Sequence, residues 1–142
     1  MAKKTEELKG LESMRRYAEH WAKNAAPGMV IGLVGELGAG KTTFTHFFAQ
    51  ALGYTGHTGS PTFTLSKCYR AQWPIYHIDC YRLNSIEAFV QAGLDAYLPS
   101  ADGITLVEWV NKFPQLLPKH ATVIELAIKD EDTRTVSSFK TE

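Results

Sequence analysis

Nothing in the chain approaches the roughly 20 consecutive apolar residues that cross a bilayer, and neither sign of charge dominates. Its 142 residues carry 15 basic and 15 acidic side chains, a formal net charge of +0. An electrostatic grip on nucleic acid needs a basic surplus or stripe, so any link to RNA is expected to run through a partner. Cysteine is scarce: Cys68 and Cys80 are the only two. If their segments form a hairpin turning at "RAQW", they stand several positions out of register, which does not suit a disulfide. Two thiols in a reducing cytosol are expected instead. The opening "MAKKTEELKG" is charged and leads into no apolar run of the kind a secretory signal needs. A cytoplasmic protein with no membrane contact is therefore expected. Repeats and low-complexity stretches are missing too, and at this length a single domain over 1–142 is the simplest organisation.

What is present alternates between helix and strand patterns. Leu8, Leu11, Met14, Tyr17, Ala18, Trp21 and Ala22 recur at spacings of three and four, predicting an amphipathic helix. Thr5 is its expected N-cap, followed by two glutamates in the first turn. "MVIGLV" is apolar on both faces, as a parallel strand buried between helix layers is. Lys41 to Leu52 reads as a helix stopped by Gly53. "TFTLSKCYR" and "PIYHIDCYR" predict an antiparallel hairpin. "NSIE" has the form of a capping box opening a short helix. "ITLVEW" and "TVIELAI" read as further strands, with a short helix in "NKFPQLLP" between them. The polar tail, about 135–142, is expected to fray. The pattern predicts an α/β layered domain with a mixed, largely parallel sheet plus one antiparallel hairpin.

Gly35-x-x-x-x-Gly40-Lys41-Thr42, between a buried strand and an amphipathic helix, matches the phosphate-loop pattern in full. Backbone N–H groups must converge on a polyphosphate, and glycines permit both the dihedrals and the close approach. The loop leads into a helix N-terminus, whose unpaired N–H groups and dipole favour an anion. Lys41 is expected at the β- and γ-phosphates, the Thr42 hydroxyl on Mg²⁺ and Thr43 near the α-phosphate. A nucleoside triphosphate with magnesium is the expected ligand.

Hydrolysis also needs a metal-side acid and a group that orients water. Asp79 in "IYHID" and Glu108 in "ITLVE" end apolar strands, where such acids belong. Thr62 in "GSPTF" reads either as a turn threonine or as a switch hydroxyl that meets the γ-phosphate or Mg²⁺. His77 is expected to be packed and hydrogen-bonded rather than a base. Arg70 and Arg82 read as surface residues or as in-cis arginine fingers, and Trp109 as core or interface.

"GELGAGKTTF", "SPTFTL", "HIDCYRL" and "LVEW", in that order and spacing, resemble the bacterial TsaE family, formerly YjeE, over about Leu8 to Arg134. The resemblance implies a small ATPase that turns over slowly alone. It also implies assembly with the TsaB–TsaD pair, which stimulates the ATPase, with TsaD transferring threonylcarbamoyl to adenosine 37 of tRNAs reading ANN codons. Transferred to this chain, it implies phosphate contacts from Gly38, Ala39, Gly40, Lys41, Thr42 and Thr43, with Mg²⁺ held by Thr42 and Glu108. Asp79 would serve turnover, Thr62 a switch-like loop, and Arg134 the adenine side. Two departures stand out. Cys80 replaces an apolar residue of the family motif, and Met14 stands where a threonine is often found, so the resemblance carries no base-side contact over to the first helix. A small P-loop kinase and a nucleotide-gated module without useful turnover are the competing readings.

Overall fold

A computed structural model describes residues 3–58 and 65–142. The chain runs β1 (Lys4–Lys9), α1 (Gly10–Lys23), β2 (Val30–Val34), α2 (Lys41–Ala51), β3 (Ser66–Arg70), β4 (Pro74–Asp79), α3 (Ile86–Gln91), β5 (Ile104–Glu108), β6 (Thr122–Ile128) and β7 (Thr133–Lys140). Seven strands form one sheet in the order β1-β7-β6-β2-β5-β4-β3. The central pairs β6–β2, β2–β5 and β5–β4 are parallel. The outer pairs β3–β4, β6–β7 and β7–β1 are antiparallel. The α/β class and the mixed sheet agree with expectation, and a second antiparallel flank is added to it.

The central strands are rich in Val, Ile and Leu buried on both faces, which is how parallel strands between layers are stabilised. One face packs Ile31, Leu33, Leu106 and Ile124 against Met14 and Ala18 of α1 and Phe44 and Phe48 of α2. The other packs Val30, Ile78 and Val107 against Phe89 of α3 and Val110. Phe44 and Phe48 are fully buried with their rings stacked 5.8 Å apart, so truncating either to alanine costs about 3–5 kcal/mol.

Four local expectations are corrected. Thr5 caps no helix: it lies in β1 opposite Ser137, the two hydroxyls 2.9 Å apart. The helix begins at Gly10, whose φ of +77° makes the corner and whose N–H donates to the Asp132 carbonyl. Leu8 is buried from a strand, and Leu11 is 69% exposed. The tail expected to fray is β7, hydrogen-bonded to β6 on one side and β1 on the other. The cap of α3 is Ser85, accepting from the Ala88 N–H at 3.1 Å, one residue beyond the expected box. "NKFPQLLP" forms two 3₁₀ turns, Val110–Lys112 and Pro114–Leu116, because Pro114 interrupts a continuous helical ladder.

Candidate nucleotide site

The loop leaving β2 turns under two geometric constraints. A Cβ on Gly35 would sit 2.5 Å from the Leu126 carbonyl oxygen of the neighbouring strand, so only glycine fits. Gly38 and Gly40 have φ of +83° and +114°, in the left-handed region. Gly40 is the N-cap of α2, and no side chain caps the backbone donors of its first turn. The side chain of Ala39 is fully buried, and its N–H donates to the Glu36 carbonyl at 3.1 Å.

Lys41 folds back over this loop. Its ammonium donates to the carbonyls of Gly35 and Glu36 and lies 4.3 Å from the centroid of the Trp109 ring. Burial pushes its pKa below the ordinary lysine value, while the carboxylates of Glu108, Asp79 and Glu36 pull it back up. A cation held this way is ready to exchange carbonyl oxygens for phosphate oxygens.

Parallel pairing of β4 with β5 sets Asp79 directly opposite Glu108. Both are buried. Asp79 Oδ1 accepts the Tyr81 N–H at 2.8 Å, a local turn that holds the carboxylate at the end of the strand. Glu108 Oε2 pairs with His77 Nε2, and His77 Nδ1 lies 2.9 Å from the Tyr69 hydroxyl. The expectation of a packed, hydrogen-bonded His77 is met, with Glu108 as its unforeseen partner.

Two cavities flank the loop. The first, about 300 Å³, is lined by Lys41, Thr42, Thr43, Glu108, Tyr81, Trp109, Leu37, Gly38 and Gly40. The second, about 200 Å³, is lined by Leu8, Gly10, Leu11, Met14, Gly38, Gly40, Thr43, Glu131, Asp132 and Arg134. Thus Lys41, Thr42, Thr43 and Glu108 come together, and Arg134 stands on the far side of the loop. There its guanidinium donates to the carbonyls of Asp130 and Thr133 at 3.0 and 3.2 Å. Thr62 lies outside the described residues. Arg70 pairs opposite Pro74 at the start of β4, the end of the sheet remote from Asp79, which removes it as a finger.

The lining residues not anticipated are Leu8, Gly10, Leu11, Met14, Glu131 and Asp132 on one side and Leu37, Tyr81 and Trp109 on the other. Trp109 had a visible signal in its place beside Glu108; its φ of +59° aims the ring at Lys41. Leu8 and Leu11 were hidden by the misplaced helix start. Among the described residues no three His, Cys, Asp or Glu side chains cluster for a metal. The Thr42 hydroxyl and Glu108 carboxylate on one cavity are hard oxygen donors, a set that fits magnesium completed by phosphate and water. The two cysteines are free, Cys68 exposed and Cys80 buried, as expected. Burial, with the charge of Asp79 adding to it, pushes the Cys80 thiol up to about 12.

No described helix is long and apolar enough to cross a membrane. The family model described as threonylcarbamoyl adenosine biosynthesis protein TsaE matches residues 8–136. The tRNA threonylcarbamoyladenosine biosynthesis protein TsaE of Bacillus subtilis is 39% identical over 127 residues, 89% of this chain and 78% of that one. The protein of the same name from Haemophilus influenzae is 34% identical, over 84% of this chain and 78% of that one. The crystal structure of Bacillus subtilis YdiB superimposes with a TM-score of 0.83 at 33% identity, covering 99% of this chain and 87% of that one. The fold, the phosphate loop and these matches agree, and the chain belongs to the TsaE family of threonylcarbamoyl adenosine biosynthesis proteins.

Proposed function

We propose that this protein binds ATP with magnesium across its phosphate loop and hydrolyses it slowly, driving a step of threonylcarbamoyl adenosine formation on tRNA. One observation carries the reading. A phosphate loop with a buried lysine faces a buried carboxylate on one cavity, and that carboxylate stands in register with a second.

In this reading the backbone from Gly38 to Thr43 and the N-terminus of α2 hold the phosphates. Lys41 moves from the Gly35 and Glu36 carbonyls to the β- and γ-phosphates, where its charge counts most as negative charge develops in the transition state. Thr42 and Glu108 hold Mg²⁺, which when bound neutralises phosphate charge and polarises the γ-phosphoryl group. Asp79 orients the attacking water. The apolar wall of Leu8, Leu11 and Met14, with Arg134 opposite, takes the purine. In this reading the first helix meets the base by packing rather than by a hydroxyl. With no surplus of positive charge in the chain, tRNA is reached through the TsaB and TsaD partners.

Calorimetry with ATP, with and without Mg²⁺, tests the ligand assignment. Mg²⁺ should tighten binding in the parent protein and lose that effect in Thr42→Ala, since Mg²⁺ tolerates little departure from its octahedral geometry. A parent protein that ignores ATP would end the proposal. Reconstituted tRNA modification with an unreactive ATP analogue separates hydrolysis from gating: full modification with the analogue would make the protein a gate.

A further inference from the structure

Tyr69, His77 and Glu108 lie on a diagonal across three adjacent strands. Lys67 pairs with His77 and Tyr69 with Ile75, so Tyr69 is one diagonal step from His77 on β3. On the other side His77 pairs with Leu106, which makes Glu108 the diagonal neighbour on β5. All three are buried, at 2%, 0% and 3% exposure, and all three are linked by hydrogen bonds.

The chemistry gives the chain a direction. An ionised glutamate only accepts, so the proton shared with Glu108 sits on His77 Nε2. On the other side of the ring the Tyr69 hydroxyl is hydrogen-bonded to Nδ1. Both imidazole nitrogens are engaged, and the ring cannot flip without breaking two bonds. Glu108 Oε2 is thereby tied to the sheet while the carboxylate lines the cavity beside Thr42. The competing partner is close by: Glu108 is the foremost carboxylate acting on the Lys41 ammonium. A carboxylate freed from His77 would swing to that ammonium, taking both groups from the phosphates.

We propose that His77, held by the Tyr69 hydroxyl, is a positioning residue that fixes the Glu108 carboxylate for the magnesium ion of bound nucleotide. The proposal rests on the reading of the site given above. Its own content is that the metal response of the cleft depends on two residues that line neither cavity.

The test compares the parent with Glu108→Gln, His77→Leu, His77→Gln and Tyr69→Phe by calorimetry with ATP, with and without Mg²⁺. Outer partners of metal-bound carboxylates are worth tenfold or more in metal affinity, so His77→Leu should weaken Mg·ATP binding about tenfold. Binding of ATP without Mg²⁺ should stay within a factor of about two. His77→Gln, which keeps a donor near Glu108, should restore most of the loss, and Tyr69→Phe should fall between. A parent that shows no Mg²⁺ effect, or a Glu108→Gln variant that keeps it, would sink the site assignment itself. A lost effect in Glu108→Gln with a parental one in His77→Leu would sink only the positioning role. Should His77→Leu fail to fold, long-range ¹H–¹⁵N spectra of the parent protein decide: a proton is expected on Nε2 of His77, and an unprotonated Nε2 overturns the chain of bonds.

Discussion

On one side of the phosphate loop, Lys41, Glu108 and Trp109 enclose a cavity of about 300 Å³; on the other, Leu8, Leu11, Met14 and Arg134 line one of about 200 Å³. Gly38, Gly40 and Thr43 belong to both. The first is built at the ends of β4 and β5, and its charged groups are buried and tied to fixed partners. The second is built where the β1–α1 corner meets the β6–β7 turn, and much of its wall, such as Leu11, is exposed. Buried, tethered charge keeps its orientation as charge moves, so the first side suits transition-state work. An open apolar wall contributes affinity by burial and discriminates little. Chemistry and affinity should therefore respond to different substitutions.

The largest effect expected is on the first side. Lys41→Ala should lower ATP turnover at least tenfold, about 1.4 kcal/mol or more in barrier, with the thermal midpoint nearly unchanged. Preserved turnover with a large fall in the midpoint would make Lys41 a strut of the loop. The two acids sharpen the comparison within that side. Glu108→Gln should raise the Mg·ATP dissociation constant about tenfold, as loss of a metal-side carboxylate does. Asp79→Asn keeps an acceptor for the Tyr81 N–H, so it should bind Mg·ATP normally. It should nonetheless hydrolyse poorly, because its interaction is made only in the transition state. Steady-state kinetics beside calorimetry will show whether the pattern holds or is reversed.

On the second side the effects should be smaller and confined to binding. Arg134→Ala should weaken ATP by about 0.5–1 kcal/mol, the value of a partly exposed cation–aromatic contact, and leave the turnover number at saturating ATP alone. A fall in turnover instead would join the two cavities into one functional unit. The smallest effect concerns the thiols. With Cys80 buried and its pKa near 12, a thiol reagent at mild alkaline pH should modify one cysteine, Cys68, as read by intact mass. Activity should survive, since Cys68 on β3 faces solvent; modification of Cys80 would mean that the strand ends beneath Asp79 open readily.

Most of the first cavity was legible without coordinates because its parts are local. The phosphate loop is one contiguous motif, and Asp79 and Glu108 each close an apolar run whose end marks a strand end. Parallel pairing of two such strands brings their last residues level, as Asp79 and Glu108 are. The second cavity was mostly illegible. Its walls come from Leu8 to Met14 and from Glu131 to Arg134, and no local periodicity encodes a meeting across that separation.

By itself the sequence determined the phosphate loop, the apolar central strands and the α/β class, because glycine spacing and hydrophobic runs act over a few residues. Tertiary structure alone decided the two flanking strands β1 and β7. "KTEELK" and "TRTVSSFK" carry too few apolar residues to announce strands, and helical spacing from Leu8 onward suggested another start. They become strands because each supplies the other with the backbone partners an edge requires, Lys4 opposite Ser138 through Lys9 opposite Thr133. Tertiary structure likewise chose the partner of Glu108. His77 and Glu108 are 31 residues apart, and only the register of β4 against β5 makes them diagonal neighbours on one buried face.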